Sequence, residues 1–384
     1  MSVERVRGRV VTPDGEIADG VVEVTGDRIT RVDDATAFTG HDLPAASGTV
    51  LPGLVDVHNH GGGGAAVTAG DPEQVVAAAR HHLGQGTTSM VASAVTDRPD
   101  RLVAAVAAAA DAAQLGEVAG IHLEGPFLAA ARCGAQDPRH LLPPDRGLAR
   151  ELLAAGRGHV RVMTLAPELP GADSLVELLV ESGVVVAVGH TEADAATAER
   201  VLSADGNGLA THLFNAMPPL HHRDPGPVAG CLSAAARGLA RVELVADGVH
   251  LADATVRTVF GLLGRDRVVL VTDAMAAAGM PDGGYQLGPQ AVSVVDGVAR
   301  LASEDGSGSI AGGTARLLDV VRRCVDHAGI DLADAVVAAS ANPAAVLGLD
   351  AELGSLRAGL RADVVVVDDQ LRPLRVMRGG SWVG

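Results

Sequence analysis

Apolar residues recur in eight short runs through the middle of the chain, at 50–57, 87–95, 118–123, 160–165, 184–188, 209–213, 242–246 and 268–272. Runs of this length, rich in Val and Leu, read as strands buried on both faces. Between them lie stretches of helical spacing, notably 72–83, 99–113, 145–155, 172–181 and 192–204. Regular alternation of the two predicts an α/β fold, a (β/α)8 TIM-like barrel over residues 51–350.

The chain ends have a different rhythm. Residues 6–11, 20–24 and 28–32 are short β-like segments separated by turn signals at 13–15 and 26–27, and 362–368 and 375–380 repeat the style. We expect 1–50 and 351–384 to assemble into one small β-sandwich module, since chain ends commonly lie close together. Region 281–306, with Gly/Asp turns around QAVSVV, reads as a β-hairpin inserted after the eighth barrel strand.

Composition narrows the chemistry. Hydrophobic residues make up 47% of the 384 and aromatics 2%, so the core must be built from Ala, Val and Leu. The net charge of −17 argues against nucleic acid as a partner, because no basic excess exists to neutralise phosphates. All 30 Lys+Arg residues are arginine. The lack of lysine excludes a Schiff base, lysine-anchored pyridoxal phosphate, a P-loop and a carboxylated lysine bridging two metals. Cys133, Cys231 and Cys324 are odd in number and widely spaced, which predicts a reducing compartment and no disulfide framework. The N-terminal segment lacks the apolar core of a signal peptide, and the Ala-rich stretch at 103–110 is too short to span a bilayer. The expectation is a soluble, cytoplasmic protein with no membrane partner.

Polar residues follow the strand runs with regularity. DVHNH (56–60) follows the first, HLEGP (122–126) the third, GHT (189–191) the fifth, THLFNA (211–216) the sixth, DGVH (247–250) the seventh and TDA (272–274) the eighth. The C-terminal strand ends of a barrel face one site, so residues remote in sequence would meet there. Imidazole and carboxylate groups suit zinc, iron or manganese, and an ion with an open position can activate water for attack on a carbonyl carbon. A nearby carboxylate can take the proton and return it to a leaving nitrogen. Cys133 reads as a structural or loop residue.

The segments HLEGPF (122–127), THLFNAM (211–217), ADGVH (246–250), VTDAM (271–275), SIAGG (309–313) and ANPAAVLG (341–348) make the chain resemble the amidohydrolase superfamily, and within it the N-acetylglucosamine-6-phosphate deacetylase family. The resemblance implies a divalent ion, zinc with iron, manganese or cobalt as alternatives, held by Glu124, His190 and His212. It implies Asp273 as general base and acid, and His250 as the group that polarises the acetyl carbonyl. Ala135, Asn215, Ala216, Ile310, Ala311 and Gly312 would contact a phosphorylated amino sugar. Arg223 would hold its phosphate from the neighbouring subunit of a homodimer, consistent with a guanidinium's bidentate match to phosphate. Two positions depart from the common pattern. His58 and His60 stand where some members carry Gln and Asn, which leaves a second ion open, with Asp273 or Glu124 shared. Gln136 stands where members often carry His, and it could hydrogen-bond a sugar hydroxyl. Loop 128–140 would act as a lid. Another amidohydrolase activity on a cyclic amide, dipeptide or amine, and a non-catalytic sugar-phosphate sensor, are the competing readings.

Overall fold

The computed structural model describes residues 3–40, 42–303 and 306–384. Parts of the expected module (1, 2 and 41) and of the expected hairpin (304 and 305) lie outside the described residues. Eight parallel strands form the barrel in sequence order: β1 Leu54–Asn59, β2 Thr87–Val95, β3 Gly120–Glu124, β4 Val160–Leu165, β5 Val185–Val188, β6 Gly208–Ala210, β7 Ala240–Leu244 and β8 Val268–Leu270. The ring closes just past β8. There Asn59 bridges Ala274 in parallel, the Asp273 N–H donates to the His58 carbonyl (3.0 Å), and the His60 N–H donates to that of Ala274 (2.7 Å).

Helices return the chain between strands, and their starts are written in the sequence. Asp71, Asp145 and Asp194 each accept a backbone N–H in the first turn of the helices Pro72–Leu83, Arg146–Ala155 and Ala195–Leu202. An N-cap carboxylate satisfies a donor that the helix itself cannot. Apolar helix faces pack on the outward strand residues, such as Met90, Ile121, Leu123, Met163 and Val186.

Strand alternation sends the other residues inward. Val55, Val57, Val91, Val162, Val185, Ala187, Leu209, Val269 and Val271 form the apolar interior, joined from below by Ala344, Val346, Leu347 and Leu353. The ANPAAVLG segment is therefore a plug at the barrel's foot. Asn342 fixes it by donating to the carbonyls of Arg265 (2.6 Å) and Val268 (2.7 Å). Above the apolar layer lies a polar one, in which Ser93 Oγ accepts from Asn59 N–H (2.9 Å) and meets His122 Nδ1 (3.0 Å). His122 Nε2 in turn meets Thr164 Oγ1 (2.8 Å), which meets Thr211 Oγ1 (2.8 Å). Burial holds His122 well below the usual imidazole range, so this ladder is neutral.

Two expectations are refined. The run at 50–57 divides at Gly53: Thr49–Pro52 joins the terminal sheet and Leu54–Asn59 the barrel. A Cβ at Gly53 would fall 2.1 Å from Thr88 Oγ1, which explains glycine at the crossing. The terminal sheet has seven strands, four from before residue 53 and three from after 363. Its two wings share one core of Val6, Val22, Val24 and Ile29 with Val364, Val366 and Met377. The insertion after β8 is three-stranded, not a hairpin: Gly283–Leu287, Gln290–Val295 and Val298–Leu301 pair in antiparallel order. Its underside packs on Val95, Met275 and Ala277.

Candidate metal centre and active-site cavity

The C-terminal strand ends converge as the pattern predicts. Glu124, His190 and His212 form one buried group of close ligand atoms, and His58, His60 and Asp273 form a second. In the first, Glu124 Oε1 lies 3.1 Å from His190 Nε2 and 3.0 Å from His212 Nε2, with the two nitrogens 3.1 Å apart. In the second, His58 Nε2 and His60 Nε2 are 3.0 Å apart, and Asp273 Oδ1 is 3.5 Å and 3.1 Å from them. Glu124 also faces the second group, with Oε2 3.4 Å from His60 Nε2. It therefore stands between the two.

The hydrogen-bonding state of the rings tests whether these residues fit a cation. His190 Nδ1 donates to the Arg132 carbonyl (2.8 Å), and His60 Nδ1 donates to that of Ser93 (2.9 Å). A carbonyl can only accept, so Nδ1 carries a hydrogen and, in the neutral ring, Nε2 carries the lone pair. His58 Nδ1 likewise faces the Glu243 carboxylate at 3.0 Å. Lone pairs pointed at one another across about 3 Å repel unless positive charge lies between them. Ligands at about 2.1 Å in a tetrahedral array would stand about 3.4 Å apart, and the atoms here are 3.0–3.5 Å apart, close to that spacing. The donor set fits a divalent ion in each group.

Electrostatics agrees. Burial opposes charge on His58, but Glu243, Asp273 and Glu124 outweigh it and raise its pKa to about 10. His60 is raised to about 9 against burial, chiefly through Asp273 and Glu124. Glu124 and Asp273, although buried, are held below the usual carboxylate range by the facing imidazoles, His58 first. Absent an ion, protons take its place. The backbone is strained at the same points. Of eight non-glycine residues at positive φ among those described, five are His190, His212, Phe214, Ala216 and Asp273. Such strain persists where surrounding structure over-determines a functional geometry.

A cavity of about 460 Å³ opens over these groups. His60, Glu124, His190, His212 and Asp273 form its floor, and Ala135, Gln136, Asn215, Ala216, His250, Ile310 and Gly312 line its walls. His250 Nδ1 meets Asp247 Oδ2 at 2.8 Å, which turns Nε2 toward the cavity. Burial disfavours charge on His250, but Asp247 prevails and its pKa is raised.

Three of the expected contact residues stand apart from the cavity wall or are already engaged within the protein. Ala311 is fully buried beside Met275 and Ala299, one residue out of phase with Ile310 and Gly312. Arg223 sits exposed on a loop outside its own chain's cavity, with Nη1 2.7 Å from His222 Nε2. Gln136 uses both ends of its amide inside the protein, donating to Glu124 Oε2 (2.6 Å) and accepting from Thr96 N–H (2.8 Å). From loop 128–140, Gln136 and the Arg132 carbonyl thus hold the ligands Glu124 and His190. Cys133, in that loop, belongs to neither ligand group.

Sequence reasoning did not reach Glu243 or Arg300, and it quoted Asp247 only as part of the DGVH motif, without a role. Glu243 lies inside the run VELVA, where a charge amid apolar residues was the available signal. Arg300, on the last strand of the insertion, lines the cavity and donates to the Gly308 carbonyl (3.1 Å). No carboxylate pairs with it among the described residues, whereas the other arginine of the wall, Arg132, faces Glu192 at 3.2 Å.

A closed parallel barrel, two His/carboxylate ligand groups at its C-terminal face and a polar cavity above them define a metal-dependent hydrolase. The amidohydrolase family model matches residues 49–383. N-acetylglucosamine-6-phosphate deacetylase of Lysinibacillus sphaericus is 34% identical over 346 residues, covering 89% of this chain and 87% of that protein. N-acetylgalactosamine-6-phosphate deacetylase of Escherichia coli O157:H7 is also 34% identical, over 86% of this chain and 87% of its own. A Mycobacterium smegmatis N-acetyl-D-glucosamine-6-phosphate deacetylase variant, solved in complex with N-acetyl-D-glucosamine-6-phosphate, superposes with a TM-score of 0.94 at 40% identity. It covers 100% of this chain and 99% of its own. The chain belongs to the amidohydrolase family, in its amino-sugar-phosphate deacetylase branch. No helix among the described residues is long and apolar enough to cross a membrane.

Proposed function

We propose that the protein hydrolyses N-acetylglucosamine 6-phosphate to glucosamine 6-phosphate and acetate, in cytoplasmic amino-sugar catabolism and cell-wall recycling. The observation that carries this reading is the meeting of Glu124, His190, His212, Asp273 and His250 at one cavity. When bound, the divalent ion supplies Lewis acidity that activates water and polarises the amide carbonyl. Glu124, His190 and His212 would hold it, with zinc the first candidate and iron, manganese and cobalt the alternatives. His58 and His60 would hold a second ion, with Asp273 or Glu124 shared.

The protein's own groups complete the reaction. Asp273 is ionised and takes a proton from the attacking water as the new C–O bond forms. His250 donates from Nε2 to the carbonyl oxygen as negative charge develops there. The C–N bond then breaks, and Asp273 returns the proton to the amine. Asn215, the Ala216 backbone, Ala135, Ile310 and Gly312 would position the sugar. Arg223 would reach the phosphate from the other subunit of a homodimer, which its exposure outside the lining of its own cavity supports. Arg300 adds a cation from the same chain.

The test is acetate release by zinc-loaded protein from the phosphorylated sugar, its unphosphorylated form and the galacto epimer. The reading requires the gluco phosphate to be preferred. The Escherichia coli relative makes the galacto phosphate the second reading, and preference for it would move the assignment. Mixing inactive Arg223→Ala and Asp273→Asn chains should restore part of the activity, because one site in a mixed dimer keeps both groups. No recovery would remove the shared site.

A further inference from the structure

Two carboxylates are sealed inside the barrel below the ligands, Asp56 and Glu243, at 0% and 1% exposure. A buried charge persists only with hydrogen-bond donors around it, so its donors show what it is for. Asp56 is satisfied mainly by structural groups, Thr272 Oγ1 (2.6 Å) and Asn59 Nδ2 (3.0 Å), with only a long contact from the His58 backbone N–H (3.4 Å), and it joins the first and last strands where the barrel closes. Glu243 takes its donors from the candidate ligands themselves. Its Oε2 accepts from His58 Nδ1 at 3.0 Å and from the His212 backbone N–H at 2.9 Å. One oxygen thus ties a side chain of the second ligand group to the main chain of the first.

The four histidines are not supported alike. His60 and His190 rest on neutral backbone carbonyls. His212 Nδ1 is buried and has no partner among the described residues. His58 alone rests on an anion. A carboxylate behind an imidazole fixes which nitrogen is free and makes that nitrogen a better donor to a cation. His58 is fully buried, with no room to turn and recover a lost contact. Glu243 itself does not line the cavity.

We infer that Glu243 is a positioning residue that makes the His58/His60/Asp273 group competent to hold a second ion and sets its register against the first. The inference rests on the two-ion reading proposed above. It is tested by metal stoichiometry and affinity rather than turnover. Chelator-stripped wild-type protein, Glu243→Leu and Glu243→Gln are titrated with zinc by calorimetry, and bound metal is counted by mass spectrometry. Reloading with manganese shows paired ions through their coupled paramagnetic resonance signal.

Wild-type protein should bind two ions. Glu243→Leu removes the acceptor and should weaken one ion by about 100-fold while largely sparing the other, with loss of the coupled signal. Glu243→Gln retains an acceptor oxygen without the charge, and should keep both ions with one weakened about tenfold. A Leu variant that keeps two ions at wild-type affinity overturns the inference, as does equal weakening of both. Should the Leu variant not fold, a Gln variant with unchanged affinities overturns it alone. One ion in the wild-type protein would instead defeat the two-ion reading, before any variant is considered.

Discussion

The two ligand groups meet at Glu124 but are built by opposite means. Glu124 and His190 are gripped from above. Gln136 clamps Glu124, and the Arg132 carbonyl orients His190, both from the loop that walls the cavity. His58 and His60 are held from below and from the barrel, by Glu243 in β7 and the Ser93 carbonyl in β2. The comparison teaches that one group is tuned by a loop, which substitution can reach, and the other by the interior of the fold, which it reaches only at the expense of packing.

Glu124 is where the difference vanishes, so its loss should have the largest effect. Glu124→Gln should bind neither ion tightly and show no turnover, as read by metal counting and acetate release. A variant that kept one ion at full affinity would mean the two groups do not share this carboxylate.

The next effect separates them. His190→Asn should abolish activity, whereas His60→Asn should retain one ion and a reduced but measurable rate. Equal loss in both would make the groups a single unit.

A smaller effect belongs to the loop. Gln136→Ala removes the clamp and should weaken the ion at Glu124 by about 10–100-fold, leaving the fold's melting temperature nearly unchanged. If affinity stays at the wild-type value and only KM rises, Gln136 acts on the sugar instead.

The last effect is a dependence on pH. Without an ion, His58 and His60 hold protons up to about pH 10 and about 9. An ion needs both rings neutral. Loading at neutral pH should therefore release protons, and affinity at this group should fall as pH falls. Calorimetry in buffers of different ionisation enthalpy reads the proton count directly. Zero release would contradict the electrostatics of the cluster.

Much of this was legible in the sequence because polar residues interrupt apolar runs at strand ends. His58, His60, Glu124, His190, His212 and Asp273 all stand out that way, and barrel topology brings them together. The supports were hidden for two physical reasons. Inside a strand, period-two alternation sends Ser93, His122, Thr164 and Glu243 inward from runs whose overall apolar character masks the isolated polar positions. Arg300 reaches the cavity through a three-stranded insertion whose packing on Val95 and Met275 is a tertiary contact, with no local signature. Gln136 was visible, but its partner was not, because only folding brings it to Glu124. Ala311 shows the limit of reading a motif as a continuous lining, since extended backbone alternates its faces.

Everything above turns on Asp273 moving the proton in a metal-supported amide hydrolysis. The most direct test is Asp273→Asn, with bound metal and acetate release measured on the same sample. The main ion should be retained while turnover of N-acetylglucosamine 6-phosphate falls by about 10²–10⁴-fold or more. Turnover near the wild-type rate with the ion in place would contradict it.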